Sequence, residues 1–377
     1  MALVPPPLTL AYLADPNSVH TRRWVEFFAA RGHLVHLLIG MDDVVRPGLS
    51  GQVTVHRYPR FGRRRLPIVS SLQGRRALRI ALRRIRPDVL HGHYLTRHGW
   101  QARLSGFHPY VISPWGSDLF VTPRDSTRAR VWARLALRGA DLVTVVSEHM
   151  RDAVLALGVR PDRIELVHFG VDTVRFHPDD RNATRLSHLG LGDRPMVFSP
   201  RAVRPIYRQD VVVDAFARLE TDATLVLTAR NADPETLAQV RARIAAAGIG
   251  DVVRLIDDID EEDMLSLYQQ ADVIVSVPES DGIPISLLEA MACARPVVAS
   301  DLPGPRELLA AADPGLLVPV GDAAATATAM RHVLEGSAAD RAALGASLRA
   351  SVVATADRQA NMERMEELYL ALRDGSR

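Results

Sequence analysis

The chain contains no lysine: all 46 of its basic residues are arginine. Lysine chemistry is therefore excluded, and any cation that acts here is a guanidinium or a histidine. One cysteine, Cys293, is present. That excludes an internal disulfide and fits a reducing compartment. No apolar run approaches the length that spans a bilayer. The first residues, Met1-Ala2-Leu3-Val4-Pro5-Pro6-Pro7, lack a basic segment, so no secretory signal is expected. A cytoplasmic place is the expectation, with the inner face of the membrane as a working surface.

What is present is a chain of 377 residues, 47% hydrophobic and 24% charged. That is enough for two domains with full cores. The net charge of +2 hides an asymmetry. Residues 1–185 hold 28 arginines against 15 acids, a difference of +13, and residues 186–377 hold 18 against 29, a difference of −11. Opposite signs suggest domains with different partners.

Short runs rich in Val, Leu and Ile recur, most followed by a helical pattern. In the first half they are Leu8–Ala14, Leu34–Gly40, Val53–Pro59, Val89–Tyr94, Tyr110–Trp115, Leu142–Ser147 and Ile164–Gly170. In the second they are Met196–Pro200, Thr224–Ala229, Val252–Asp257, Val273–Pro278, Pro296–Ser300 and Leu316–Val320. Continuous apolar strands alternating with helices predict an α/β protein with parallel sheets covered on both faces. Such sheets bind ligands at the carboxyl ends of their strands. A polar, proline-bearing stretch, His177–Asn182, coincides with the change of charge sign. We expect two Rossmann-like domains, 1–180 and 181–357, and a last helix in 358–377 that returns to the first domain.

The segment Asp281–Ser300 carries the strongest chemical signal. Between Asp281 and Arg295 the one charged residue is Glu289. The surrounding residues predict a helix buried on most faces, in which a carboxylate needs a partner. Pro284 suits a helix start. Gly282 permits close approach of a ligand to the backbone. Amides at the helix start, with Asp281 and Glu289, would suit a ligand that is both anionic and rich in hydroxyls. The alternative is a capping Asp and a Glu held by a nearby arginine.

Asp281-x7-Glu289 followed by Ala290-Met291-Ala292-Cys293-Ala294-Arg295-Pro296 resembles the E-x7-E signature of retaining, GT-B fold glycosyltransferases of family 4, with Asp in place of the usual first Glu. Gly170-Val171-Asp172 to Phe176-His177-Pro178 is similar to the inter-domain segment of that family, with His168-Phe169 where Pro-Asn is usual. The resemblance covers nearly the whole chain. It implies two Rossmann-like domains with parallel sheets facing across a cleft. It also implies that Asp281 meets the hydroxyls of a donor sugar and Glu289 the ribose of its nucleotide. Gly282, Ile283, Pro284 and Ile285 would line the same donor site. In Ser199-Pro200-Arg201-Ala202-Val203-Arg204-Pro205, Arg201 matches the arginine that clamps the donor diphosphate, and Arg204 or Arg208 stands in for the absent lysine.

The first half departs from that family. Its glycine-rich loop after the first strand is replaced by Asp15-Pro16-Asn17-Ser18-Val19-His20. His20 is a candidate for the reaction centre, against the alternative of a structural or exposed loop histidine. In Ser113-Pro114-Trp115-Gly116-Ser117-Asp118, many family members carry His where Trp115 stands. Asp118 either orients an acceptor hydroxyl or caps the next helix. His91-Gly92-His93 and Asp258-Ile259-Asp260 look like metal motifs, but no metal is expected at either: the first ends a buried strand, and the second precedes a helix whose dipole explains its acids. The Arg57–Arg86 stretch, with Arg63-Arg64-Arg65, is part solvated helix over a stripe of Leu78, Ala81, Leu82 and Ile85. The rival reading is attraction to anionic lipid or an anionic acceptor. Nucleic acid is not expected, because no stacking-aromatic pattern accompanies the charge.

Together these imply transfer of a sugar from a UDP- or GDP-type nucleotide sugar to the hydroxyl of a glycan, lipid-linked or small-molecule acceptor, with no further cofactor. Front-face displacement, in which the leaving phosphate helps take the acceptor proton, accounts for the lack of an obvious base. An epimerase on the same fold would act on donor alone. A non-catalytic nucleotide-sugar sensor would bind without turnover.

Overall fold

The computed structural model describes residues 6–59, 67–120, 127–179, 185–310 and 312–376. The chain forms two compact units, Met1–His168 with Ala360–Arg377, and Phe169–Gln359. Arg63-Arg64-Arg65 and the Asp180-Arg181-Asn182 part of the polar stretch lie outside the described residues.

Unit 1 is built on seven parallel strands: β1 (Thr9–Leu13), β2 (Leu34–Gly40), β3 (Val53–Tyr58), β4 (Val89–His93), β5 (Tyr110–Ser113), β6 (Leu142–Val145) and β7 (Ile164–Leu166). Their order is β3-β2-β1-β4-β5-β6-β7. Unit 2 holds six: β8 (Met196–Ser199), β9 (Thr224–Thr228), β10 (Val253–Ile256), β11 (Val273–Ser276), β12 (Val297–Ser300) and β13 (Leu317–Val318). They run parallel in the order β10-β9-β8-β11-β12-β13. The central strands are buried on both faces, as β5, β6, β11 and β12 show by being buried at every residue. Each sheet reverses its winding once, between β1 and β4 in unit 1 and between β8 and β11 in unit 2. A crevice opens at such a point, outside the carboxyl ends of the strands.

The last helix, Arg358–Arg373, belongs mostly to unit 1. Its Tyr369 is fully buried and completes a polar network under the sheet. The Tyr369 hydroxyl accepts from Trp24 Nε1 (3.2 Å) and Tyr12 (3.2 Å) and meets His91 Nδ1 at 2.5 Å. His91 Nε2 reaches Ser113 Oγ (2.7 Å), and Ser113 bonds Thr144. Burial pushes the His91 imidazole down to about 3. It is therefore neutral, accepting from Tyr369 and donating to Ser113. One turn earlier Glu366 takes His33 Nε2 (2.6 Å) and Arg31 (2.7 Å), while His33 Nδ1 accepts from the Leu8 amide.

Where the chain enters unit 2, Gly170 adopts φ +70, and a Cβ there would lie 2.6 Å from Arg358 Cα. The bare backbone lets Val171 pair with Asp357, closed by Val171 N to Ala356 O (2.9 Å) and Arg358 N to Val171 O (2.9 Å). Asp172 then holds Arg358 at 2.6 Å. Gly170 therefore does more than turn the chain: it admits a second segment.

Candidate functional site

The unit 2 crevice is made by the loops after β8 and β11. They are tied together by the Glu279 amide, which donates to Ile206 O (2.9 Å). Arg201, two residues past β8, crosses the crevice. One of its terminal nitrogens lies 2.9 Å from Asp281 Oδ2, the other donates to Ser286 Oγ at 3.3 Å, and the guanidinium stacks 4.0 Å from the ring centre of Tyr207. Asp281 Oδ1 accepts from the Gly282 amide (2.9 Å). Arg201 and Asp281, eighty residues apart, are therefore brought together, with both side chains partly exposed (16% and 21%).

Helix Ile285–Ala292 rises from this point, with Pro284 in the cap position (φ −68, ψ 123) and no side-chain cap. Pro284 thus stands just before the helix rather than inside its first turn. Ser286, Leu287, Leu288, Ala290, Met291 and Ala292 are buried, and Glu289 is half-buried. The helix is buried on most faces, as expected, and the carboxylate in it has a partner. Glu289 has a protein partner in the fully buried Tyr268, whose hydroxyl it hydrogen-bonds. The Tyr268 hydroxyl is held well above its ordinary range, first by burial and then by this carboxylate. Cys293, one turn on, is pushed up to about 12, chiefly by burial.

The two candidates for a second cation have other partners here. Arg204 is exposed, and its Nε donates to Asn231 O (3.0 Å) in the loop after β9. Arg208 has φ +50 and grips Asp210 with two nitrogens, each at 3.0 Å. Arg201 alone of the three arginines contacts Asp281 among the described residues.

In unit 1, the crevice between β1 and β4 is aromatic. His20, in the first turn of helix Val19–Ala30, packs edge-on against Trp115 (5.5 Å between ring centres), and Trp115 lies 5.3 Å from His93 at the end of β4. Burial, aided by Arg23, lowers His20 to about 4, and burial drives His93 well below its ordinary value. Both rings are neutral near pH 7. His93 is fully buried, and neither ring nitrogen has a hydrogen-bond partner. Asp118 is also fully buried. Its carboxylate accepts the amides of Leu95 (2.5 Å), Trp115 (2.9 Å) and Gly116 (2.9 Å), and burial nevertheless raises its pKa. Three amides fix two loops at the strand ends, so the carboxylate's observed work is to clamp backbone.

The remaining motifs serve the fold. Asp260 caps helix Glu261–Gln270 by accepting the Glu262 and Asp263 amides. Among the described residues no group of three or more His, Cys, Asp or Glu is placed to hold a metal ion. No described helix is long and apolar enough to cross a membrane.

Three supporting residues were missed in the sequence. Gln209 is fully buried; its amide donates to Arg201 O (2.6 Å), and its carbonyl accepts from Ser199 Oγ (2.9 Å). A glutamine ahead of Val211-Val212-Val213 was the available signal. Tyr268 gave none. Gly304, in helix Pro303–Leu309, backs the Asp281 loop so closely that a Cβ would fall 2.0 Å from Gly282 O.

Comparison with known proteins agrees with this two-unit fold. Residues 9–147 match the family described as Glycosyl transferase 4-like, and residues 180–349 match Glycosyl transferases group 1. A D-inositol 3-phosphate glycosyltransferase of Geodermatophilus obscurus is 30% identical over 268 residues, 66% of this chain and 59% of that protein. One from Nocardioides sp. is 29% identical over 289 residues, 69% of this chain and 62% of that protein. The chain thus spans about three fifths of the length of these curated relatives. Among solved structures, sucrose-phosphate synthase from Thermosynechococcus elongatus superposes with a TM-score of 0.80 at 22% identity, covering 96% of this chain and 98% of that one. Anabaena HepE in complex with UDP gives 0.80 at 17%, covering 96% and 100%. At these identities the likeness speaks for the fold. The chain therefore joins a Glycosyl transferase 4-like segment to a Glycosyl transferases group 1 segment, on the two-unit parallel-sheet architecture of the GT-B fold.

Proposed function

We propose that the protein is a retaining glycosyltransferase that takes a sugar from a UDP- or GDP-type nucleotide sugar and delivers it to an acceptor hydroxyl. The observation that carries this reading is the meeting of Arg201 and Asp281 at the unit 2 crevice, beside the start of the helix that carries Glu289. A guanidinium binds a diphosphate through two parallel hydrogen bonds and stabilises the charge that grows on it as the sugar departs. Asp281 accepts from sugar hydroxyls, and Glu289, oriented by Tyr268, accepts from ribose hydroxyls. Gly282, Ile283, Pro284 and Ile285 bring backbone close to the same ligand. Structures of HepE with UDP and with UDP-glucose support a nucleotide sugar as the donor class.

His20 and Trp115 are assigned to the acceptor side. A neutral His20 can accept a hydrogen bond from an acceptor hydroxyl, and Asp118 holds the Trp115 loop in place. The proton finally goes to the leaving diphosphate, whose bond to the anomeric carbon breaks as the new bond forms on the same face. The acceptor is a hydroxyl of a glycan, a lipid-linked glycan or a small molecule, and the relatives' name adds phosphorylated cyclitols to that class. The arginine-rich face of unit 1 would favour an anionic acceptor or the surface of an anionic membrane. No metal or further cofactor enters this reading.

The test is a thermal-shift series with UDP, GDP, UDP-glucose and GDP-glucose on the wild type and on Arg201→Ala. Ligand at about 100 times its Kd stabilises the native state by about 2.7 kcal/mol. One nucleotide series should raise Tm in the wild type and much less in Arg201→Ala. Equal shifts in both proteins would remove Arg201 from the donor site.

A further inference from the structure

We propose that unit 1 carries a second ligand site: a groove for a phosphate group at the amino-terminal edge of its sheet. The groove runs between the last turns of helix Pro67–Ile85 and the loop after helix Trp100–Ser105. Arg79, Arg83 and Arg86 line one side, and Ser105, Phe107 and His108 the other. Its volume of about 830 Å³ is in the range of small-molecule sites.

This groove is separate from the crevice described above. Arg86 and Pro87 lead into β4, and Phe107 and His108 lead into β5, whereas His20, Trp115 and Asp118 follow the carboxyl ends of β1 and β5. In a parallel sheet those are opposite edges. The five residues of β4 alone put roughly 16 Å between them.

The charge arrangement points to an anion. Arg79 and Arg83 stand at i and i+4 on one helix face, where like charges repel, and Arg86, just past the helix end with φ +53, lines the same groove. All three are exposed. Arg83 and Arg86 make no ion pair or side-chain hydrogen bond among the described residues. Arg79 is positioned: its Nε donates to Ser105 O at 2.6 Å, and a Cβ on Gly106 (φ +68) would come within 2.9 Å of its terminal nitrogen. The nearby carboxylates are engaged. Asp141 takes His108 Nδ1 (2.7 Å) and the Tyr110 amide (2.8 Å), and Asp88 takes the Thr9 amide (2.7 Å). Guanidinium forks match phosphate oxygens in pairs. Leu82 and Phe107 add apolar surface, which suits a phosphate carried on an organic body. That body is either a free phosphorylated metabolite or a phospholipid headgroup.

The full chain is titrated with inorganic pyrophosphate by calorimetry and, separately, sedimented with phosphatidylcholine vesicles containing one fifth phosphatidic acid. Wild type is compared with Arg83→Gln/Arg86→Gln, with Arg201→Ala, and with Arg76→Gln/Arg84→Gln, a control of equal charge outside the groove. Arg83→Gln/Arg86→Gln should lose one class of pyrophosphate site, weakened about tenfold or more, while Arg201→Ala and the control keep it. If vesicle binding falls as well, the source is a lipid headgroup. If it does not, the source is a free phosphate. Unchanged pyrophosphate binding in Arg83→Gln/Arg86→Gln, or an equal loss in the control, overturns the proposal by showing no groove site or only diffuse charge.

Discussion

At the scale of single residues, the proposed donor site rests on who faces Arg201 and who faces Glu289. Tyr268 is the residue that separates the two readings of Glu289 as structural or ligand-facing. Tyr268→Phe removes one hydrogen bond and should lower stability by about 1 kcal/mol. If Glu289 serves a ligand, Glu289→Ala will weaken donor binding well beyond Tyr268→Phe. A purely structural pair would show the two variants matched in stability and unaltered in binding. Cys293 offers a simpler check. It is fully buried, and its thiol is pushed up to about 12. Iodoacetamide should therefore leave it unmodified in the native protein at pH 8 and label it in urea. Labelling at equal rates would contradict the packing of helix Ile285–Ala292.

At the scale of elements, two close contacts make strong claims. Gly304→Ala places a methyl against Gly282 O, so the Asp281 loop must shift. Donor affinity should fall while the fold survives, giving a raised KM and a circular dichroism spectrum like that of the wild type. An unchanged KM would separate the loop from the donor site. Tyr369→Phe leaves Trp24, Tyr12 and His91 short of a shared partner in a dry network. The loss should be about 1–3 kcal/mol, because buried groups left unsatisfied cost more than an average hydrogen bond; urea denaturation measures it.

The elements were also the most legible level of the sequence. Each of the thirteen apolar runs contains a strand, most clearly at β6, β11 and β12, which are buried at every residue and so mostly apolar. The helix under Arg79 and Arg83 was readable from Leu78 and Leu82, both buried. The candidate site was readable in part. Arg201 and Asp281 each stood in a recognisable segment, but their pairing is a product of sheet order, which no local pattern encodes. Tyr268 and Gly304 gave no signal for the same reason. Glu289 was legible as a carboxylate that needs a partner, but an apolar sequence neighbourhood does not show which residue supplies it.

At the scale of the whole molecule, the histidines set an acid limit. His20 and His98 are lowered to about 4, and His91 to about 3, each chiefly by burial. The unfolded chain therefore binds protons below about 6.5 that the folded chain refuses. Stability is fully present above that pH and is lost as pH falls towards 4, each histidine contributing up to about 1.4 kcal/mol per pH unit. Urea midpoints should drop between pH 7.5 and pH 5.0, with proton uptake on unfolding. A midpoint that holds or rises would contradict the burial of these rings.

The charge asymmetry also acts at this scale. The second half of the chain is acidic, so the proposed diphosphate ligand would be drawn in by local cations and a helix start against the average field. On the proposed reading, Arg201 would be decisive for binding and Asp281 and Glu289 for recognition. The most direct measurement is calorimetric titration of UDP-glucose and GDP-glucose into the wild type, Asp281→Ala and Glu289→Ala. The account predicts that one nucleotide sugar binds the wild type and that each substitution weakens it about tenfold or more, the loss of a buried or charge-assisted hydrogen bond. Binding undiminished in both variants, or no binding of either sugar nucleotide to the wild type, would contradict it.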